Sequence, residues 1–383
     1  MTDAPSTASP AAPDAARFSP LDAVHRAAGA SFTDFAGWQM PVRYSSDLAE
    51  HHAVRGAAGL FDLSHMAEFA VSGPDAARYL DEALAGLLSA TTVGQAKYSL
   101  LLAETGGVID DVVVYRLGEQ EFLVVANASN RVPVAEALAA RVGDFAVEVA
   151  DRSDAFALIA VQGPRSREIL EQTGGLETPG IDELRYYRSA SARFHGEPML
   201  LARTGYTGED GFELYVSPEH AEALWVALTA AGEPLGLVPA GLASRDTLRL
   251  EAGMPLYGHE LSLEVLPEQA GLGRVAALGK KSFVGRDALV AGAGDEAPVL
   301  VGLMAEGRRA ARAGYELFAD ERSTEPIGLV TSGALSPTLG HPIALAYLDP
   351  RFAAPGTEVS VDIRGKRLAF TTTTLPFYRR TKG

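Results

Sequence analysis

A chain of 383 residues is longer than one ordinary hydrophobic core organises, so it predicts two or three domains. Its composition, 47% hydrophobic and 21% charged, is typical of a globular protein, and no apolar run reaches the roughly 18 residues of a membrane-spanning helix. The absence of cysteine excludes disulfides, thiolate nucleophiles and cysteine-built metal sites, and the net charge of −16 argues against a nucleic-acid partner.

The N-terminal residues 1–17 are rich in Ala, Pro and Ser, and such a segment cannot bury enough apolar surface to fold. We expect a disordered tail there. It has neither the apolar stretch of a secretory signal nor the acid-poor composition of a mitochondrial presequence, which favours a cytoplasmic protein. Ordered structure should begin with a helix capped by Ser19, and a second helix should occupy residues 47–57.

Short strands and helices then alternate without a regular period, which favours the α+β class. Residues 97–117 predict a β-hairpin whose turn lies at 104–107. Small residues and an acidic pair over 285–299 predict a flexible junction. The apolar runs beyond it predict a small β-barrel or sandwich over 298–383.

Two adjacent acids, Asp110 and Asp111, interrupt the apolar second strand of this hairpin. Alternate residues of a strand face opposite sides, so Asp111 should share a face with Tyr115, and Asp110 should share the other with Val112. A carboxyl group in apolar surroundings has a raised pKa unless it is paired, which makes it a candidate for proton handling. The alternative is structural: Asp110 caps the turn, and Asp111 pairs with an arginine.

A glycine-rich loop over 203–215 carries acids and no suitably placed lysine, which argues against a phosphate site. On the strand that follows, Glu213 should face away from Phe212 and Leu214. Its carboxylate would suit an amidine-like pair of donors, as on a pterin or purine edge. An acidic turn without a ligand is the alternative.

Two arginines, Arg245 and Arg249, lie four residues apart on a helix predicted to start near Ser244. They therefore share a face and could present positive charge to an anion. Pairing with Asp246 or Glu251 is the alternative.

The histidines do not predict a metal site, since His51, His52 and His65 lack the spacing of a zinc motif. We therefore expect no metal.

Eleven segments, taken in order, resemble the glycine cleavage system T protein (aminomethyltransferase) family over about residues 20–378. Each segment alone is weakly specific, and the ordered set is strong. They are DFAGWQMPVRY (34–44), EHHAVR (50–55), GLFDLSHM (59–66), GGVIDD (106–111), VQGP (161–164), TGYTGEDGFE (204–213), SRDTLRLEAGMPLYG (244–258), FVGRDAL (283–289), RRAARAGYEL (308–317), TSGALSPTLG (331–340) and LPFYRR (375–380).

This resemblance implies a three-domain, cloverleaf-like arrangement around a central folate site, with two interleaved α+β domains in 18–290. It implies transfer of the methylene carbon from the aminomethyl-lipoyl arm of the H protein to tetrahydrofolate. Ammonia is released, 5,10-methylenetetrahydrofolate is formed, and no metal, membrane or nucleic acid takes part. The catalytic acid is the second Asp of the GG-x-x-DD motif, Asp111, which would position the folate nitrogens and handle a proton. The implied folate-binding residues are Tyr98, Asn127, Tyr206, Glu213, Arg245 and Tyr378.

Two related interpretations stay open. One is a demethylase that moves a methyl group from a small sulfonium or methylamine to tetrahydrofolate. The other is a non-enzymatic folate-binding factor for iron–sulfur assembly with the same fold. Members of that second group typically carry a cysteine-containing motif, which is missing from this chain.

Overall fold

The computed structural model describes residues 16–380. Its helices are α1 (Asp22–Ala27), α2 (Asp47–Gly56), α3 (Ala76–Ala83), α4 (Arg131–Ala140), α5 (Ser166–Gln172), α6 (Pro218–Gly232), α7 (Leu242–Glu251) and α8 (Arg286–Ala291). Its strands are β1 (Arg17–Phe18), β2 (Ser31–Phe35), β3 (Trp38–Arg43), β4 (Ala58–Asp62), β5 (Ala67–Ser72), β6 (Ala96–Leu102), β7 (Val108–Arg116), β8 (Glu121–Ala126), β9 (Glu148–Asp151), β10 (Ala157–Gln162), β11 (Leu176–Glu177), β12 (Ser189–Phe194), β13 (Glu197–Ala202), β14 (Gly211–Val216), β15 (Leu237–Pro239), β16 (Val299–Met304), β17 (Glu316–Phe318), β18 (Pro326–Leu335), β19 (Pro342–Leu348), β20 (Glu358–Asp362) and β21 (Arg367–Thr373).

The start of the ordered chain differs from the sequence expectation in two respects. The tail expected over 1–17 lies outside the described residues except at its end, where Arg17 belongs to β1 and pairs with Trp38. The expected cap at Ser19 is wrong, because α1 begins only at Asp22 and the Ser19 hydroxyl donates to the buried carboxylate of Asp62 instead. The same hydroxyl oxygen accepts the backbone N–H of Leu21 at 3.1 Å, so Ser19 closes the turn before α1 and does not cap the helix itself.

Two sheets interleave along the chain. The seven-stranded sheet has the order β11-β12-β13-β14-β10-β4-β15, and the five-stranded sheet has the order β6-β7-β8-β5-β9. The chain leaves the first sheet after β4, builds the whole second sheet, and returns to pair β10 antiparallel to β4. Strand β15 then joins β4 in parallel. The five-stranded sheet is therefore an insertion within the seven-stranded one, and this mixture confirms the α+β class.

Each sheet buries one face under helices and the other face toward its neighbour. Ile169 of α5 and Leu224 of α6 lie in the core of the seven-stranded sheet, whereas α3 and α4 cover the five-stranded sheet. A third core joins Tyr115 and Val125 of the five-stranded sheet with Tyr215 of the seven-stranded one. Side chains that alternate away from the helices thus meet between the two sheets, where a ligand can be enclosed.

The predicted hairpin is confirmed as β6 and β7, and its turn explains the paired glycines. Gly106 has a φ of +84°, a left-handed conformation that an L side chain adopts only with strain. A Cβ on Gly107 would lie 1.8 Å from the carbonyl oxygen of Leu263, a distance that no real contact permits. The turn is therefore closed against residues that follow α7, and this closure fixes the strand that carries the acids.

The C-terminal region is a closed six-stranded barrel with the order β16-β19-β18-β17-β20-β21, in which β16 also pairs with β21. The expectation of a barrel or sandwich is thereby settled as a barrel. The flexible junction expected over 285–299 is wrong in part, because α8 occupies Arg286–Ala291. The side chain of Leu289 is buried against the β6–β7 hairpin, and that apolar contact orders the segment.

A buried carboxylate, Glu251 at the end of α7, ties the helices to the barrel. It accepts hydrogen bonds from the Ser336 hydroxyl and, at 2.8 Å, from the Thr338 hydroxyl, and it pairs with Arg55 of α2 at 2.8 Å. Burial alone would raise the pKa of Glu251, but the neighbouring His51, Ser336 and Arg55 outweigh burial and lower the pKa to about 2. The carboxylate is therefore held ionised by its partners.

We expect Glu251→Ala to lower the free energy of unfolding by about 3–5 kcal/mol at pH 7, because the buried partners of the carboxylate lose the negative charge that they contact. Glu171→Ala, on the exposed side of α5, is the matched control and should change it little. Urea denaturation of the three proteins measures the difference.

The same contact predicts a pH dependence. The folded pKa of Glu251 lies below its ordinary value of 4.5, so the stabilisation is complete above about pH 4.5 and is lost as the pH falls toward 2. The stability gap between the wild type and Glu251→Gln should therefore narrow below pH 4.5. A gap that stays constant from pH 7 to pH 3 would contradict this account.

Candidate active site

A cavity of about 440 Å³ lies between the two sheets, and α7 and the loop 253–257 also line it. Six of the seven residues expected at the site line it, although they come from separate parts of the chain. They are Tyr98, Asp111, Asn127, Tyr206, Glu213 and Arg245. The fold therefore brings to one cavity wall residues that lie up to 147 positions apart in the sequence, the distance from Tyr98 to Arg245.

The two adjacent acids face opposite sides of β7, as strand alternation predicts. Asp111 lines the cavity together with Tyr115, whereas Asp110 is 0% exposed and faces the side that packs under α3 and α4 with Val112. The two carboxyl groups therefore occupy different surroundings, and only Asp111 can meet a ligand.

The structural alternative for Asp110 is wrong, because its carboxylate does not cap the hairpin turn. One of its oxygens, Oδ1, accepts the side-chain amides of Asn127 at 2.8 Å and Asn130 at 2.6 Å. The other, Oδ2, accepts the backbone N–H of Asn127 at 2.9 Å. Asn130 is a functional candidate that the sequence does not reveal, since it lies in no motif and contacts Asp110 only through the fold.

Asp111 has no arginine partner among residues 16–380. Its Oδ2 accepts the hydroxyl of Tyr98 at 3.0 Å, and its Oδ1 accepts the side-chain amide of Asn127 at 2.9 Å. Burial raises the pKa of the Asp111 carboxyl, and these two hydrogen bonds offset only part of that effect. A carboxyl group of raised pKa that is fixed by two partners at a cavity wall is suited to exchange protons with a ligand.

Glu213 on β14 projects into the cavity, whereas Phe212 and Leu214 face the core under the helices, as predicted. Its Oε2 accepts the Tyr115 hydroxyl at 3.1 Å and the Thr204 hydroxyl. Among the described residues no donor contacts the other carboxylate oxygen, Oε1, so this oxygen is available to a ligand. Tyr115 could have been found from the sequence, because it shares a strand face with Asp111.

The two arginines of α7 have different roles, although they lie one turn apart. Arg249 is paired internally with Asp246 at 2.7 Å and with Glu260 at 3.0 Å, which bears out the structural alternative for this residue. Arg245 forms no ion pair in the described chain, and its buried Nη1 atom has no hydrogen-bond partner there. It lies over the ring of Tyr206, 5.0 Å from the ring centroid, and supplies a cation to the cavity wall.

His65 also lines the cavity, 4% exposed, and its ring packs edge-on against Phe35 at a centroid distance of 5.3 Å. Burial lowers the pKa of His65 to about 4, and the charge of Arg245 acts in the same direction against the opposing charge of Asp62. No partner within residues 16–380 meets its Nδ1 atom. His65 is therefore a neutral polar group, which a search for metal motifs could not identify.

The structure does not bring Tyr378 to this cavity. Its ring stacks on the guanidinium of Arg55 at 4.0 Å, and its backbone N–H donates to the carbonyl oxygen of Glu251 at 2.8 Å. The side chain thus belongs to the contact between the barrel and the helices. It is separate from the wall that the other six residues form.

No group of three or more His, Cys, Asp or Glu side chains in residues 16–380 is arranged to hold a metal ion. His51 instead contacts the hydroxyls of Thr247 and Thr338, each at 2.8 Å. Over the same range, no helix is both long enough and apolar enough to cross a bilayer.

Comparison with known proteins identifies the family. Residues 21–280 match the GCVT N-terminal domain, and residues 299–379 match the glycine cleavage T-protein C-terminal barrel domain. The chain belongs to the glycine cleavage T-protein family. The junction between the two matches coincides with the segment that carries α8.

Relatives of this T-protein family chain resemble it over nearly their whole length. An aminomethyltransferase of Streptomyces coelicolor is 56% identical over 368 residues, which cover 94% of this chain and 97% of that protein. One of Lysinibacillus sphaericus is 42% identical and covers 92% of this chain and 95% of its own. The crystal structure of glycine cleavage system aminomethyltransferase T from Bartonella henselae matches with a TM-score of 0.88 at 36% identity, covering 96% of this chain and 99% of that one.

We expect the imidazole of His65 to be neutral at pH 7 and to titrate near pH 4, because burial beside Arg245 disfavours its charged form. Nitrogen-15 NMR of histidine-labelled protein measures the midpoint, and the spectrum of His65→Gln identifies the signal. His52→Gln, at an exposed position, is the matched control and should leave the His65 midpoint unchanged. A midpoint above 6 for His65 would contradict the expectation.

Proposed function

We propose that this chain is the aminomethyltransferase of the glycine cleavage system. It transfers the methylene carbon from the aminomethyl-lipoyl H protein to tetrahydrofolate, releases ammonia and gives 5,10-methylenetetrahydrofolate. The observation that carries the proposal is the Asp111 carboxyl, fixed by Tyr98 and Asn127 at the wall of the cavity. The protein acts in the cytoplasm, with lipoylated H protein as its partner and without a metal.

The donor and acceptor pattern of the cavity wall fits a reduced pterin. Asn127 donates through its side-chain amide to both Asp110 and Asp111, so its free side-chain group is the carbonyl oxygen. Asp111, Asn127 and Glu213 then all offer acceptors, which suits a ligand edge rich in N–H groups. The volume of about 440 Å³ lies in the range of small-molecule sites. Bound tetrahydrofolate supplies the two amine nitrogens that receive the carbon.

The residues of the chain divide the remaining work. Asp111 exchanges a proton at its carboxyl oxygens, and Glu213 accepts an N–H donor through its Oε1. Arg245 lies over the ring of Tyr206 and offers a positive charge and an N–H donor to an acceptor group of the ligand. This donor replaces the hydrogen bond to water that the acceptor gives up on binding. The aromatic lining excludes water, which keeps these electrostatic contacts strong and protects a carbon in transfer from hydrolysis.

An ammonia-release assay with tetrahydrofolate and aminomethylated H protein tests the proposal. We expect turnover that depends on both substrates. A parallel panel of a methylated sulfonium and a methylamine separates the demethylase interpretation, for which these compounds and not the H protein would be turned over. Folate binding without turnover of any donor would favour the non-catalytic folate-binding factor and reject the proposed function.

Asp111→Asn should fold normally, keep its affinity for tetrahydrofolate and lose about 10²–10⁴-fold in kcat, because the amide cannot exchange the proton. Calorimetry measures the affinity, and the ammonia assay measures kcat. Asp144→Asn, at an exposed position, is the matched control and should keep wild-type turnover. Normal turnover by Asp111→Asn would remove its catalytic assignment.

Glu213→Ala should chiefly weaken tetrahydrofolate binding, by about 10–100-fold in Kd, because charge-assisted hydrogen bonds to the ligand are lost. Any fall in kcat at saturating folate should be smaller than this. Calorimetry on Glu213→Ala and on the exposed control Glu171→Ala provides the comparison. An unchanged Kd would show that Glu213 does not hold the pterin edge.

A further inference from the structure

Asp110 is a fully buried carboxyl group that lies outside the cavity and next to the reacting one. It is 0% exposed, and Asn130, which donates to it, is 5% exposed. A single amide, the side chain of Asn127, donates to Asp110 at 2.8 Å and to Asp111 at 2.9 Å. The position of Asn127, and through it one side of Asp111, therefore depends on Asp110.

The pair is buried without a compensating cation. Among residues 16–380 neither Asp110 nor Asp111 forms an ion pair, and every group that contacts their carboxylates is neutral. Two negative charges on adjacent residues in such surroundings are costly, because burial and mutual repulsion both oppose the second charge. One negative charge and one proton is the arrangement that these contacts favour.

The hydrogen-bond partners differ in a way that places the proton. Asp110 receives three N–H groups, from Asn127 twice and from Asn130, and an N–H can only donate. A proton on Asp110 would face these donors and find no acceptor. Asp111 contacts the hydroxyl of Tyr98 at 3.0 Å, and a hydroxyl can accept as well as donate. The proton is therefore accommodated on Asp111.

We infer that Asp110 is a positioning residue for Asp111. Near neutral pH the two carboxyl groups share one negative charge, which rests on Asp110, while Asp111 holds an exchangeable proton at the cavity. Asn130 stabilises the negative charge on Asp110 by donating a hydrogen bond to it. Asn127 contacts both acids and so couples the position of Asp111 to that of Asp110. The effect on turnover rests on the proposed function, whereas the sharing of the proton does not.

The other titratable groups that face Asp111 are phenols and do not compete for this proton. They are Tyr98, Tyr187, Tyr206 and Tyr257. Burial raises the pKa of each, so all four stay neutral through the neutral range. The charged groups elsewhere on the wall are Glu213 and Arg245, which act on each other, and Asp246 and Arg249, which pair with each other. Burial raises the pKa of Asp110 as well as that of Asp111, so the pair as a whole loses its second proton late.

The test is a carboxyl carbon-13 NMR titration of the full chain labelled at aspartate, with the Asp111 signal identified by its loss in Asp111→Asn. In the wild type we expect the Asp111 signal to titrate above the ordinary value of about 3.9. In Asp110→Asn its midpoint should fall by at least one unit, a tenfold change in proton affinity, because the neighbouring charge is gone. Asn130→Ala, which weakens the hold on that charge and keeps both acids, should shift it in the same direction.

Asp144→Asn, exposed and remote from the pair, is the control and should leave the Asp111 midpoint unchanged. Thermal unfolding checks that Asp110→Asn is folded, and Asn130→Ala provides the same test if it is not. An Asp111 midpoint unaffected by either variant overturns the inference. So does a titration in the neutral range carried by the Asp110 signal, because the proton would then rest on the wrong residue.

The ammonia assay adds an independent measurement. The ionisation of Asp111 seen in the pH dependence of kcat should move to lower pH in Asp110→Asn, with the KM for tetrahydrofolate changed less than kcat. A merely structural role would lower stability or kcat and leave the pH profile in place. If the wild type turns over but the Asp111 midpoint does not shift in Asp110→Asn, the inference is rejected and the proposed function stands. If the midpoint shifts but the wild type does not turn over, the inference stands and the proposed function is rejected.

Discussion

Adjacent residues of a β-strand point to opposite faces, and in β7 this constraint separates two carboxyl groups that are neighbours in sequence. One reaches the space between the sheets, and the other lies under the helices that cover the five-stranded sheet. The side chain of Asn127 contacts both because β8, which ends just before it, pairs with β7. The site therefore uses both faces of β7. Asp111 lies at the cavity on one face, and Asp110, which helps to hold Asn127 in place, lies on the other.

Local periodicity was sufficient for the features that depend on a strand alone. It placed Asp111 on the face of Tyr115, turned Glu213 away from Phe212, and identified the hairpin and the barrel strands. It failed where a distant partner decided the outcome. Ser19 donates its hydroxyl to Asp62, which lies 43 residues away, and α1 begins only at Asp22. No local pattern carries that information.

The charges of α7 show the same limit. The spacing of Arg245 and Arg249 predicted a shared face, and the choice between binding and internal pairing stayed open. The fold gives the two arginines different roles, because Glu260 pairs with Arg249, whereas no acid in the described chain pairs with Arg245. Net charge gives no guidance here. A chain with a formal charge of −16 still keeps at the wall of its cavity a cation, Arg245, that forms no ion pair in the described chain.

The interleaved sheets have a consequence for synthesis. Strand β4 lies between β10 and β15, and about 175 residues separate its end from the start of β15. At 5–20 residues per second, a ribosome needs on the order of ten seconds or more to supply that last partner. Helix α7 and the loop after it follow later still, so the wall that carries Arg245 is completed only after both sheets exist. During that interval β4 is an apolar strand with an open edge, and an open edge of this kind can pair with another chain.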